Sequence, residues 1–435
     1  MTAQASVEHK GTTGSYRWWV VGMLWLVCVA NYADRQAIFS VFPPLQHEFS
    51  LTRLQLGALG SAFMWVYALC GPLAGWLCDR VSRQGVIVWA LLFWSLCTAA
   101  TGFVHSYEEL VLCRALSGLS EAFYFPAAMS LIADYHSSQT RSRAMSLHQS
   151  AVYVGSVAGG TVSAWLAESR GWRYPFAGFG FFGLALALLL IAALKEPKRS
   201  APQQDARPKS ESERGFLSGV LALLANPPAM VLAVVFVCAN FVAAIFLSWI
   251  PVYLFEKFHM SLVSAGFHAS AWLQCSSILG VLLGGVLADS LARRSRGGRI
   301  FAQSFGLLLG APLLILVGWN RFAVLVLIAI AGFGFAKGIY DANIWASLYE
   351  VVPVRHRGAT VGLMNSLGWL GGGVATLAIA AGNARFSLGT EICATSLLYA
   401  IPAVALLILG RWLTRSTRNP DNTASQSGTG FPATH

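Results

Sequence analysis

A chain of 435 residues with 56% hydrophobic and only 11% charged side chains cannot solvate the surface of a soluble protein its size, which would carry about 25% charge. The formal net charge is +11 and the mean hydropathy +0.59. Nucleic-acid binding is argued against by position: the basic residues sit in short loops between apolar runs, where they orient a membrane protein. The eight cysteines are scattered without a C-x-x-C pair, so neither a disulfide framework nor a zinc site is indicated.

Residues 1–16 form a polar tail without a signal-peptide pattern, so the first membrane helix is expected to direct insertion itself. Twelve apolar stretches follow, and a membrane helix needs roughly 20 residues. They cover residues 17–41, 53–78, 84–103, 108–134, 143–167 and 172–194, then 229–254, 262–288, 300–319, 322–351, 358–380 and 391–413. The runs are continuous rather than alternating, which selects helices over a barrel. The expected fold is an all-α membrane protein with twelve transmembrane helices in two six-helix bundles. Its parts are a tail (1–16), a first bundle (17–194), a linker (195–228), a second bundle (229–413) and a polar tail (414–435). In the linker, residues 195–214 read as flexible and residues 215–224 as a short amphipathic surface segment. Of the 30 Lys and Arg, 21 fall on one side if both termini are cytoplasmic and 6 on the other; Arg35, Arg114 and Lys337 remain at membrane depth. That asymmetry places both termini in the cytoplasm, with a bacterial inner membrane expected.

The two halves repeat. Gly75, Asp79, Arg80 and Arg83 follow the second span; Gly285, Asp289 and Arg293 follow the eighth with the same Gly–Asp–Arg spacing. Arg141 and Arg143 lie in the fourth loop, Arg355 and Arg357 in the tenth. The helices after those loops both carry clustered glycines. Matched loops in two halves are the signature of a parallel-repeat transporter. Small residues permit close helix approach, and an aspartate at a helix end can pair with loop arginines. These residues read either as a gate or as topology markers. The pattern resembles the major facilitator superfamily over nearly the whole chain. Its best-known loop motif is matched by the first loop, with Arg83 alone where two basic residues are usual. The resemblance implies two bundles around one central site and alternating access.

Ionisable residues at membrane depth are costly and usually functional. The first span holds Asn31, Tyr32, Asp34 and Arg35; the fourth holds Arg114 and Glu121, seven residues apart on one helix face. Each charge needs a partner. Asp34 or Glu121 either neutralises Arg35 or Arg114 permanently, or takes a proton when an anion occupies the arginine. The cluster resembles the anion:cation symporter family, whose members carry sugar acids and other organic anions. That resemblance implies Arg35 as the carboxylate ligand, Asp34 and Glu121 as proton carriers, and Arg114 as the group tuning Glu121. The run from Gly118 through Glu121 to Asp134, with the Arg141–Arg143 loop, is similar also to the Spinster family of lysolipid and sphingolipid carriers.

The tenth span carries Lys337, Tyr340, Asp341 and Asn343. Lys337 and Asp341, at i and i+4, either pair with each other or offer a second anion contact. Polar residues at cavity depth also include His148, Gln149, Tyr153, Asn240, Gln274 and Asn365; each either contacts substrate or joins helices. Gln149 and Asn365 occupy corresponding helices. No G-x-x-x-x-G-K-[ST] loop or H-E-x-x-H occurs, and no nucleophile elbow is placed between strand and helix, so neither ATP-driven transport nor an enzyme is supported.

The sequence thus predicts a proton-coupled symporter of a small organic anion. Its partners are that anion, protons and membrane lipid; no cofactor, metal or nucleic acid is called for, and a monomer is expected. The substrate contacts are Arg35, Tyr32, Gln149, Tyr153, Lys337, Tyr340, Asn343 and Asn365. A Spinster-like lipid carrier is the alternative, and a non-transporting sensor a third reading for which the tails leave no output domain. The first half is expected to carry proton coupling and anion capture, the second to set which substrate fits.

Overall fold

The computed structural model describes residues 15–78, 80–196, 220–221, 223–353, 356–382 and 385–416. All regular structure there is helical: α1 (Tyr16–Ser40), α2 (Phe42–Phe49), α3 (Arg53–Cys78), α4 (Arg83–Thr101), α5 (Tyr107–Tyr135), α6 (Ser138–Arg170) and α7 (Arg173–Ala193) make the first half. The second holds α8 (Pro227–Phe258), α9 (Leu262–Ala292), α10 (Gly298–Trp319), α11 (Ala323–Asp341), α12 (Ile344–Val351), α13 (Arg357–Gly382), α14 (Leu388–Ala394) and α15 (Leu397–Ser416).

Nine helical segments among the described residues are long and apolar enough to cross a membrane. The remaining three long helices, α1, α5 and α6, have 25, 29 and 33 residues and have the length to cross as well. Two of them hold the buried charges, and α6 is rich in Ser, Gln and Arg. Their lower hydropathy therefore marks the helices that line the interior. Counting α11 with α12 and α14 with α15, twelve spans result. The predicted surface segment at 215–224 lies largely outside the described residues.

Local chemistry sets the helix starts. Ser82, Ser106, Asn226, Ser261 and Ser387 accept hydrogen bonds from the backbone N–H three residues on. Prolines open α2 and α8, where the missing N–H costs nothing. The tenth span, expected as one continuous helix, is interrupted at Asn343, while Ala342 before it keeps helical geometry. Asn343 Nδ2 donates to the Gly284 and Ile339 carbonyls, and Gln303 Nε2 donates to the Asn343 carbonyl. Side-chain amides thus satisfy polar groups that a break at membrane depth would otherwise leave bare.

Each half packs by the same scheme. In the first, α1 lies on α6 and α3 on α5; in the second, α8 lies on α13 and α9 on α11. A Cβ on Gly159 would stand 2.4 Å from Ala33 Cα, and one on Gly280 would stand 2.1 Å from the Phe335 carbonyl oxygen. Such approach of backbones is how membrane helices gain contact without a hydrophobic drive.

The halves meet most tightly at the face away from the termini. Ser61 Oγ donates to the Gly373 carbonyl at 2.7 Å and lies 2.6 Å from Thr376 Oγ1. Trp65 Nε1 donates to the Leu370 carbonyl, and Gln36 Nε2 to that of Leu247. Arg53 Nη2 grips both oxygens of Glu256 at 2.9 and 2.7 Å. Moving along α3 toward the termini, contact fades. A Cβ on Gly57 would meet Thr376 O at 2.7 Å, one on Gly71 would meet only Ser366 Oγ at 3.5 Å, and one on Gly75 would meet nothing within 4 Å. A Cβ on Gly285, the repeat partner of Gly75, also meets nothing. The molecule is sealed at one face and splayed at the face where α1 begins and α15 ends.

At the sealed face Glu48 accepts hydrogen bonds from Trp172 Nε1 and Arg173 Nη1, each 2.5 Å long. Partial burial raises the carboxyl's pKa, but the two hydrogen bonds and the Arg173 charge outweigh it and hold the group below its ordinary 4.5. A depressed pKa contributes stability above the ordinary value and loses it as pH falls through the folded one. Glu48→Gln is therefore expected to lower the melting temperature by about 1–2 °C at neutral pH. The difference should shrink progressively as the pH falls below 4.5 and through the folded pKa; a difference that does not shrink on acidification would reject this account.

Candidate substrate site

The sequence left open which carboxylate serves which arginine. In the structure Glu121 Oε2 accepts from Arg35 Nε at 2.6 Å and from Asn31 Nδ2 at 2.9 Å. Asn31 and Arg35 stand one turn apart on α1, so both reach the same oxygen on α5. Arg114 Nη1 lies 3.8 Å from Asp34 Oδ2, an ion pair beyond hydrogen-bonding distance. Glu121 is 0% exposed, and Asp34 and Arg114 are each 2% exposed.

The network is incomplete. Both Asp34 oxygens, Glu121 Oε1, Arg35 Nη1 and Arg114 Nε are buried without a hydrogen-bond partner. A permanent buried ion-pair cluster needs its lone pairs and protons satisfied to be stable. Two guanidiniums and two carboxylates thus keep spare donors and acceptors at this site.

Aromatic rings complete the surroundings of Arg35. Its guanidinium carbon lies 4.8 Å from the Tyr32 ring centroid, 5.2 Å from Phe63, 4.6 Å from Tyr67 and 5.3 Å from Trp369. Phe63 also stands under Arg114, at 4.8 Å. The cage draws on α1, α3 and α13, so the second half touches the arginine through Trp369. Ring faces stabilise a cation where water is scarce. Sequence reasoning missed Phe63, Tyr67 and Trp369, because an apolar chain places aromatics on lipid-facing surfaces too. The i, i+4 spacing of Phe63 and Tyr67 was the available signal.

The second charged group is on α11. Lys337 Nζ and Asp341 Oδ2 form a hydrogen-bonded ion pair, with side chains 22% and 36% exposed. Tyr153 of α6 interacts electrostatically with both, across the gap between the halves. Gln149, one turn before Tyr153, is exposed, and Asn365 is half-buried. Asn343 is 3% exposed and engaged with Gly284 and Ile339. Tyr340 is 0% exposed, packed within the second half. His148 is likewise buried and sits 2.9 Å from the Tyr124 hydroxyl. The structure therefore gathers Tyr32, Asp34, Arg35, Arg114 and Glu121 into one cluster and Tyr153, Lys337 and Asp341 into another, and leaves Tyr340 and Asn343 inside the second bundle.

At the splayed face the loop residues serve their own halves. Arg83 pairs with Asp134. Arg80 Nη1 donates to the Trp76 carbonyl, and its guanidinium stacks over the Trp76 ring at 4.1 Å. Asp289 takes Arg299, at 3.3 Å, and Arg299 also holds Glu350 at 2.9 Å. Arg357 donates to the Tyr349 carbonyl at 2.6 Å. Arg141, Arg143 and Arg293 are exposed. Asp79 and Arg355 lie outside the described residues.

Two bundles of repeated design around buried charges define a membrane transporter, and the chain belongs to the Major Facilitator Superfamily, which residues 24–376 match. It is not an enzyme. It is 31% identical over 390 residues to the probable galactarate/D-glucarate transporter GudP of Bacillus subtilis, spanning 84% of this chain and 85% of that protein. It is 30% identical over 410 residues to the protein of the same name in Escherichia coli K12, spanning 87% and 88%. To protein spinster of Drosophila melanogaster it is 29% identical over 367 residues, spanning 80% and 59%. Among solved structures, a bacterial homologue of the human lysosomal transporter Spinster, inward-facing and unoccupied, superposes with a TM-score of 0.74 at 23% identity. That match covers 94% of this chain and 98% of the other.

Proposed function

We propose that this chain is a secondary active transporter that carries a small organic anion, a carboxylate such as a sugar acid, together with protons by alternating access. The observation that carries this reading is the single hydrogen-bonded contact between Arg35 and Glu121. A substrate carboxylate and the Glu121 carboxylate compete for one guanidinium. When Glu121 takes a proton it releases Arg35, and the arginine is then free to hold the anion. When the anion leaves, Arg35 draws Glu121 back to its ionised form. Asp34 and Arg114, 3.8 Å apart beside this pair, form a second such couple, and Arg114 tunes the carboxylates around it. The relatives named for galactarate and glucarate support a sugar acid as the cargo.

On this reading both termini are cytoplasmic, the membrane is a bacterial inner membrane, and the structure is open inward. The loop arginines and Asp79 and Asp289 then close the cytoplasmic side in the other half of the cycle. Tyr32, Gln149, Tyr153, Lys337 and Asn365 line the path of the substrate. Uptake of a labelled sugar acid into proteoliposomes with an acidic exterior is the test. Accumulation should exceed the outside concentration and collapse when a protonophore is added; accumulation indifferent to the protonophore would reject proton coupling.

One observation favours the lipid-carrier alternative. An apolar groove of about 640 Å³ runs between α3, α4 and α5, lined by Leu77, Val81, Trp89, Phe93 and Phe123 among others. It lies within the first half rather than between the halves, so it does not open the central site to an acyl chain. Competition of a lysolipid with the labelled acid would reverse this preference.

A further inference from the structure

Lys337 and Asp341 are not used by the exchange at Arg35, yet they sit at membrane depth, where an ion pair is more costly than two apolar side chains. Asp341 is the last residue of α11, two residues before the helix is interrupted at Asn343. Breaks in membrane helices are tolerated where they line a cavity or are enclosed by protein, and they commonly bear substrate sites. The side chains of this pair are partly open, unlike Glu121 or Arg114.

Gly155 and Gly159 of α6 seat α1 at Val29 and Ala33, which fixes the helix that carries Arg35. Tyr153, on the other side of α6, lies within electrostatic range of Lys337 and Asp341. Each cation also holds a carboxylate of its own half: Glu121 on Arg35 and Asp341 on Lys337.

We propose that Arg35 and Lys337 are the two anchors of a dicarboxylate site, one carboxylate taking Arg35 from Glu121 and the other taking Lys337 from Asp341. This rests on the organic-anion reading above. A dianion that spans both anchors ties the first half to the second, and so it favours the state in which they approach. A monocarboxylate fills one anchor and gives no such bias. The charge balance follows. The six groups Asp34, Arg35, Arg114, Glu121, Lys337 and Asp341 sum to zero. A bound dianion is neutralised in the membrane by two protons, one on each displaced carboxylate. The groups facing Asp341 are Lys337 on its own helix, Tyr153 of α6, Tyr340 of α11 and Tyr399 of α15. Among these, Lys337 is the sole cation, so once the substrate takes it Asp341 has no other counter-charge in the group.

Galactarate and galactonate, which differ in whether the second end is a carboxylate, are the probes, and purified protein in proteoliposomes is the system. The wild-type protein is expected to bind galactarate about tenfold or more tightly than galactonate. Null-point titration should give two protons per galactarate and one per galactonate. The double variant Lys337→Ala with Asp341→Ala removes both charges together and should reduce the preference to within about twofold. The conservative variant Lys337→Arg should keep the preference and serves if the double variant does not fold. Wild-type protein that binds both acids but shows neither preference nor a second proton overturns the two-anchor site while leaving the anion reading intact. A double variant with an undiminished preference overturns it too. Wild-type protein that binds neither acid overturns both.

Discussion

Glu121→Gln is expected to abolish gradient-driven accumulation while leaving exchange of labelled for unlabelled substrate in place. Glutamine has the size of glutamate and imitates its protonated form, so the cage keeps its shape and Arg35 stays available to an anion. The variant has lost the carboxylate that competes for Arg35 at 2.6 Å and that returns a proton when substrate leaves. Transport without that step runs downhill only. Arg35→Ala acts at the other partner and is expected to eliminate binding. It removes the anion ligand and also strands Glu121, which is 0% exposed, beside Asn31 alone. Breaking a buried ion pair by removing one member costs about 3–5 kcal/mol, or roughly two to four orders of magnitude in affinity if it is expressed in binding. Counterflow and accumulation measured side by side separate the two variants. Undiminished accumulation by Glu121→Gln would remove Glu121 from the coupling mechanism.

The second large effect is expected from bulk placed in the sealed face. A Cβ on Gly57 would lie 2.7 Å from the Thr376 carbonyl oxygen and 2.8 Å from Ala380 Cβ; one on Gly266 would lie 2.7 Å from the Gly160 carbonyl oxygen. Every one of those neighbours belongs to the opposite half. Gly57→Trp with Gly266→Trp therefore cannot be absorbed by repacking within a bundle, and the halves must part at that face. Transport should fall to background while the bundles stay folded. Ser61, now 1% exposed in the seam, reports the change. In a cysteine-free background, Ser61→Cys should resist a membrane-impermeant thiol reagent in the parent and react readily in the double tryptophan variant. Transport at the parental rate would show that the cycle does not require this face to seal. The same bulk at Gly159 should act differently. Its neighbour Ala33, 2.4 Å from a built Cβ, lies in the same half, so the result is a destabilised bundle rather than an arrested cycle.

How much of this was legible in the chain can be followed through single residues. Asp34, Arg35, Arg114 and Glu121 were conspicuous because charge is rare in apolar spans. Gly75 and Gly285 were conspicuous because the repeat placed them. Which charges bond was not legible: four residues on two helices allow several pairings, and only the rotation of α1 against α5 selects Glu121 for Arg35. Asp289 follows the same lesson: the repeat offered it loop arginines in general, and the fold selects Arg299. The break after Asp341 carried no proline or glycine to announce it. It is held by Asn343 reaching Gly284, 59 residues away.

The sequence by itself determined that the chain is helical, crosses a membrane and repeats, because hydropathy, charge scarcity and loop spacing are local quantities summed along a chain. Only the tertiary structure decided that Arg35 sits in a cage of Tyr32, Phe63, Tyr67 and Trp369, and that Tyr153 faces Lys337 across the divide between the halves. Those facts depend on helix rotation and on contacts between residues hundreds of positions apart. An aromatic ring that faces lipid and one that faces a guanidinium read alike until the bundle closes around them.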